Sequence, residues 1–261
     1  MTMSNTIEDS VRQFYDEYGW ARGGEDELFR EFRPAYKPYH EGTIARTLAC
    51  FGSCAGRLLI VGCGDMPRSH VELGEQFAET ICFDISRVAL DIAAQRLPKA
   101  KTQLGSICEA PFPDATFDAV FASHIIYHIN ASLQEQAVRE MIRVVKPGGR
   151  VVVLYSNPKS PIRYAAGIVH RLRKLFAPKA AVKESGLYFS PHTLGWWKRF
   201  SDSCDVSMKP WDVIGSYEER TLIPADWLAS LFYSMARVTE KMLPKLAVRI
   251  WQYPIIVLGR R

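Results

Sequence analysis

The chain has 261 residues, 33 Lys and Arg against 28 Asp and Glu, a formal charge of +5, and 48% hydrophobic residues. That length and balance suit one large globular domain or two small ones and exclude disordered, collagen-like and coiled-coil chains. So small a net charge makes no case for nucleic-acid binding, and no apolar run approaches the roughly 18 residues that a spanning helix needs.

The amino terminus, MTMSNTIEDS, has no basic region followed by an apolar core, so the expectation is a cytoplasmic protein that is not exported. Six cysteines, at 50, 54, 63, 82, 108 and 204, form no disulfide framework, and Cys50/Cys54 lacks a second Cys or His pair to complete a zinc site. Reduced thiols and no metal are expected.

Residues 7 to 50 read as helix and loop, rich in charge and aromatics that include Phe14, Tyr15, Tyr18 and Trp20, with Pro34 and Pro38 marking a turn. From Arg57 short apolar runs alternate with amphipathic stretches. Leu58 to Val61, Ile81 to Phe83, Phe117 to Ala122 and Val151 to Tyr155 read as buried strands. Ser86 to Leu97 and Leu133 to Val145 read as helices. The second carries a capping box, Ser132 followed by Glu135, and Pro147-Gly148-Gly149 ends it. Such alternation predicts a doubly wound α/β fold with a mostly parallel sheet, its ligands at the carboxyl ends of the strands.

After Tyr155 the alternation breaks. Residues 156–189 read as an insertion with a basic helix of roughly Pro161 to Phe176. A helix capped by Ser190 with Pro191 in its first turn follows, carrying Leu194, Trp196, Trp197 and Phe200. Cys204 to Trp211 and Tyr253 to Leu258 read as closing strands, with helix between Pro224 and Leu243. The expected organisation is one domain: a helical cap over 1–55, a core over 56–155, the insertion, and a carboxyl-terminal part over 190–261 that completes the sheet.

The loop Gly62-Cys63-Gly64-Asp65-Met66-Pro67 follows the first strand directly. Glycines there let backbone N–H groups come close to a ligand, and the next helix start favours a negative group. A dinucleotide-binding loop would have a third glycine where this chain has Pro67, which speaks against NAD and an oxidoreductase. Asp84 ends the second strand, 20 residues after Gly64, where a carboxylate can accept hydrogen bonds from both ribose hydroxyls. Its alternative role is a helix cap.

The stretch from Gly105 through PFPDATFD, then Ser123-His124-Ile125-Ile126-Tyr127-His128, then RVVKPGGR at 143–150, resembles the class I S-adenosylmethionine-dependent methyltransferases, within them the small-molecule branch of ubiquinone/menaquinone methyltransferases. The resemblance covers roughly residues 55 to 155. It implies a Rossmann-like methyltransferase fold with a seven-stranded sheet and S-adenosyl-L-methionine as cofactor. Gly62, Cys63 and Gly64 would then line its methionine end, Asp84 and Ile85 its ribose, and Ser106 with Ile107 its adenine edge, with Ser123 and Tyr39 as further cofactor contacts. Three positions depart from the family pattern: Ile60 and Ser106 stand where acidic residues are usual, and Met66 where the third glycine is. Asp65, Arg68 and aromatics of the amino-terminal segment are the candidates to compensate.

Methyl transfer from a sulfonium is an in-line displacement, so alignment and exclusion of water dominate, and a hydroxyl acceptor also needs a base. Histidine is the natural base near neutral pH. His124 and His128, after the fourth strand, are the catalytic candidates; a purely structural hydrogen-bonding role is the alternative for His128. His40 and His192 also sit in loops expected to face the pocket. Tyr36, His192 and Arg163 are the acceptor-binding candidates, and Tyr36, Tyr39 and Tyr15 a candidate lid.

From Met141 to Lys183 there are ten Lys or Arg and no Asp or Glu, which leaves 23 basic against 28 acidic residues elsewhere. Seven of the ten fall in the insertion, among them Arg171, Arg173 and Lys174. The expected partner is therefore a small-molecule acceptor, anionic or lipid-linked, with peripheral contact to an acidic membrane surface as the other use of that segment. The insertion and the YFSPHTLGWWKRF stretch also resemble, more loosely, methyltransferases of cell-surface saccharide and glycolipid pathways. That favours O-methylation of a sugar-containing or lipid-linked molecule. C-methylation of a quinone precursor, N-methylation of a metabolite, and a non-catalytic S-adenosyl-binding protein are the alternatives.

Overall fold

The computed structural model describes residues 3–19, 33–176 and 187–261, with side chains from residue 7 and, in the helix before the second gap, to residue 173. Trp20, Lys179 and Lys183 lie outside the described residues, and the side chain of Lys174 is not described. Helices α1 (Met3–Tyr18) and α2 (Tyr36–Phe51) precede β1 (Arg57–Val61). Then come α3 (Arg68–Glu75), β2 (Glu79–Asp84), α4 (Arg87–Arg96), β3 (Lys101–Leu104), β4 (Phe117–Ser123), α5 (Gln134–Val144) and β5 (Val145–Leu154). Helix α6 (Pro161–Phe176) begins the segment after β5, and β6 (Cys204–Asp212), α7 (Ser216–Leu222), α8 (Asp226–Met242), α9 (Pro244–Ile250) and β7 (Tyr253–Arg260) complete the chain.

The seven strands form one sheet in the order β3-β2-β1-β4-β5-β7-β6. The first five are mutually parallel, and β7 runs antiparallel to both β5 and β6. Consecutive residues of the central strands go to opposite faces and both are buried. Leu59, Val61, Val120, Ala122, Val151 and Val153 join one core cluster, and Leu58, Ile60, Ala119, Phe121, Val152 and Leu154 the other. Helices on both faces explain why these strands read as unbroken apolar runs. The strand order reverses between β1 and β4, so the crevice for a ligand opens above Val61 and Ser123.

A third cluster, with Tyr36, Tyr39, Val213, Ala229 and Tyr233, ties α2 to α8. Arg33 anchors it through a buried 2.6 Å ion pair with Glu219 and a 2.7 Å hydrogen bond to the Ile223 carbonyl, while the Tyr233 hydroxyl donates to Glu219 at 2.6 Å. A buried ion pair is tolerable when its remaining lone pairs are satisfied in this way.

Two local expectations are corrected, and one strand gave no sequence signal. Ser132 and Glu135 make no capping box, because the Ser132 N–H and hydroxyl both donate to Asn130 Oδ1 and Glu135 is held by Arg139 and Arg199. The aromatic segment begins at Leu194 after Thr193, not at Ser190, and is a 3-10 helix to Asp202; the Ser190 N–H is taken by the Tyr127 carbonyl. Strand β3 carried no apolar signal, since Lys101, Thr102, Gln103 and Leu104 are all exposed at the sheet edge.

Candidate functional site

A cleft opens at the carboxyl ends of β1, β2 and β4. Gly62, Cys63, Gly64, Asp84, Ile85, Ser106, Ile107, Ser123, His124 and His128 all line it. The glycine loop explains the close approach. Gly62 has φ +59°, and a Cβ there would fall 2.4 Å from Ile125 Cγ2, so no side chain fits.

The loop works differently from the sequence expectation in one respect. The N–H groups of Gly62 and Cys63 both donate to the Phe83 carbonyl, at 2.8 and 3.4 Å, and that of Gly64 to Asp84 Oδ2 at 2.9 Å. These amides hold β1 to β2 and are not aimed at a ligand. What the loop offers is bare backbone surface. Asp84 Oδ1 accepts from the Ser86 N–H at 2.9 Å, and the Ile85 N–H adds a third backbone interaction with the carboxylate. Burial pushes the Asp84 carboxyl up, against the lowering effect of those backbone hydrogen bonds. The cap of α4 is Ser86, whose Oγ accepts from the Ala89 N–H, and not Asp84.

Helix α1 closes one wall through Glu8, Val11 and Tyr15. Ser106 Oγ donates to Glu8 Oε2 at 2.8 Å, and Ser86 Oγ to Asp16. Glu8 and Asp84 thus line the cleft with two carboxylates, with Asp16 behind them on Ser86, which suits a cationic ligand. Of the proposed compensating residues, Tyr15 lines the cleft, whereas Arg68 is exposed and paired with Glu72 at 2.7 Å, and Asp65 is buried outside the lining. Met66 takes φ +51° with its side chain fully buried in the second core cluster, so packing offsets the missing glycine.

The two histidines after β4 differ. His124 Nδ1 lies 2.8 Å from the Tyr127 hydroxyl, and its ring packs against Trp211 and Tyr253 at 5.2 Å each. Burial, then His128 and His70, push its pKa down to about 3, so it is neutral and a poor base. His128 Nδ1 lies 2.7 Å from the Tyr188 carbonyl. A carbonyl only accepts, so Nδ1 carries the proton and Nε2 the lone pair. Burial lowers the His128 pKa and the bond to Tyr188 raises it. The ring of Tyr15 stands 6.0 Å away, edge-on.

The structure does not bring the remaining candidates into the cleft. Tyr39 is 1% exposed in the third cluster, with its hydroxyl donating to Glu240 at 2.5 Å, and Tyr36 bonds His40 at 2.8 Å beside it. The cause is packing against α8, which draws α2 away from the cofactor side. His192 stacks on Trp196 at 4.5 Å, and its backbone N–H donates to the Tyr155 hydroxyl. Arg163 sits over the Phe189 ring at 5.2 Å, one layer behind His128. Conversely, Glu8 and His70 are lining residues that the sequence did not single out for the site. His70 is buried with its pKa pushed down to about 4, its Nδ1 has no hydrogen-bond partner among the described residues, and it also lines a smaller cavity with Trp211 and Thr43.

Residues 59–153 match the methyltransferase domain family. The ubiquinone/menaquinone biosynthesis C-methyltransferase UbiE of Ectopseudomonas mendocina is 33% identical over 109 residues, 39% of this chain and 41% of the relative. That of Yersinia enterocolitica is 32% identical over 158 residues, 55% of this chain and 62% of the relative. The chain thus matches about two fifths of the length of the first of these relatives. In fold it is similar to the geranyl diphosphate C-methyltransferase from Streptomyces coelicolor A3(2), with TM-score 0.60 and 15% identity over 98% of each chain. Over residues 59–153 the chain matches the methyltransferase domain family, and its sheet order and glycine loop agree with that match.

Proposed function

We propose that the protein transfers a methyl group from S-adenosylmethionine to a hydroxyl-bearing small molecule, with His128 taking the acceptor proton. The cofactor supplies an electrophilic methyl on a sulfonium. The residues present fit it: Gly62 and Gly64 line the cleft where its amino-acid end would lie, Asp84 offers its carboxylate to the ribose hydroxyls, and Glu8 beside Ser106 offers one to the adenine amine. These carboxylates favour the positive sulfonium over its neutral product.

The observation that carries the reading is His128, its Nδ1–H fixed on the Tyr188 carbonyl and its ring on the cleft wall. A fixed tautomer presents the basic nitrogen without reorganisation. The acceptor we favour is a sugar-containing or lipid-linked molecule methylated on oxygen, met by Tyr15 and the layer of Phe189 and Arg163 behind His128. C-methylation of a quinone-type precursor is the second reading, favoured by what the relatives are named for. Incubating the protein with methyl-labelled cofactor and a panel of phenols, glycosides and quinone precursors tests it; label on a ring carbon selects the second reading, and label on no acceptor overturns both.

A further inference from the structure

Helix α8 is apolar on two faces. Ala229, Tyr233 and Ala236 are buried against α2, while Trp227, Leu231, Met235, Val238 and Met242 are each between 53% and 72% exposed. Those five stand at steps of four, four, three and four residues, which puts them on one stripe of the helix. Leu243 and Leu246 extend it onto α9, at 55% and 45% exposure. Monomeric surfaces rarely carry so continuous an apolar strip unless something covers it.

The charges beside the stripe are mainly of one sign, the exception being the exposed Asp226 at the start of α8. Arg237, Lys241, Lys245 and Arg249 are exposed on α8 and α9, whereas Glu240 is buried and Asp226 is held by Arg33 at 3.1 Å. Helix α6 repeats the pattern more briefly, with Tyr164, Ile168 and Leu172 exposed beside Arg171 and Arg173. Among the described residues no helix is long and apolar enough to cross a membrane.

We propose that α8 and α9 dock on the surface of an anionic phospholipid bilayer, with the Trp227 to Met242 stripe in the headgroup boundary and the flanking cations against lipid phosphates. Amphipathic helices bind membranes by this pairing of apolar burial and charge attraction. A second copy fits worse, because a symmetric contact through the stripe would oppose like-charged flanks. A convex helix with five protruding side chains also offers no pocket for a protein partner's anchor residues, whereas a fluid lipid surface needs none. The inference stands on the surface alone and holds whatever the acceptor is.

Vesicle co-sedimentation of the full chain tests it, using pure phosphatidylcholine and a mixture with phosphatidylglycerol. The expected result is binding to the mixture that falls roughly tenfold or more on pure phosphatidylcholine. Leu231→Glu/Met235→Glu and, separately, Arg237→Glu/Lys241→Glu should each lower binding to the mixture by about the same factor. All four side chains are exposed, and circular dichroism of both variants checks that the fold is kept. No binding to the mixture, binding indifferent to lipid charge, or binding unchanged in both variants overturns the proposal. A dimer in analytical ultracentrifugation that Leu231→Glu/Met235→Glu dissolves, without vesicle binding, assigns the stripe to a second copy and overturns it too.

Discussion

Ser106, just past β3, donates its hydroxyl hydrogen to Glu8 of the amino-terminal helix at 2.8 Å, across 98 residues of chain. Ser106 occupies the position where the methyltransferase family pattern carries an aspartate, so a carboxylate absent from the strand end is brought there by α1. Glu8→Ala should weaken S-adenosylhomocysteine binding by about 1 kcal/mol or more, the value of a hydrogen bond to a charged group. Adding Ser106→Asp to that variant should recover much of the loss. Calorimetry in which Glu8→Ala binds like the wild type would remove Glu8 from adenine recognition.

His128→Ala should lower kcat by about a hundredfold while cofactor affinity changes little, since a positioned base contributes at least that much. His124→Ala should act on stability instead, because that ring is buried among Tyr127, Trp211 and Tyr253. Steady-state kinetics and thermal melts separate the two. A His124 variant that melts normally but has lost turnover would reverse the assignment.

The pH profile follows from the same ring. A base must be unprotonated, and burial lowers the His128 pKa. Activity should therefore rise with pH through a value below the ordinary histidine range and be level by neutrality. A rise centred above pH 7 would point to another group.

Stability should have its own pH dependence. His124 and His70 have folded pKa values of about 3 and 4, against 6.5 unfolded, so between those limits the unfolded chain binds more protons. The neutral rings cost nothing above pH 6.5, and stability falls progressively as pH drops from there toward 4. Melting temperature should drop between pH 7.5 and 5, and drop less in His124→Gln. Equal slopes in the two proteins would count against a buried neutral His124.

Much of the core was legible in the sequence because the signals are local. Leu58–Val61, Phe117–Ala122 and Val151–Val153 are buried on both faces and read as apolar runs, and the glycine loop and Asp84 follow their strands directly. What failed to show depends on contacts between distant segments. Glu8 looks like any exposed helical acid until α1 lies over Ser106, and Tyr39 looks like a lid until Glu240, 201 residues on, takes its hydroxyl. Strand β3 has no inward side chains to betray it. The histidines were visible as a pair, but the tautomer of His128 rests on a carbonyl 60 residues away.

Asp84 is where the account meets its most direct test. Its carboxylate both holds the Gly64 N–H and, on this reading, accepts the ribose hydroxyls. Calorimetric titration with S-adenosylhomocysteine should show one site per chain, and Asp84→Ala should weaken it by more than about 1 kcal/mol. Absence of S-adenosylhomocysteine binding to the wild-type protein, with NAD bound in its place, would contradict the account.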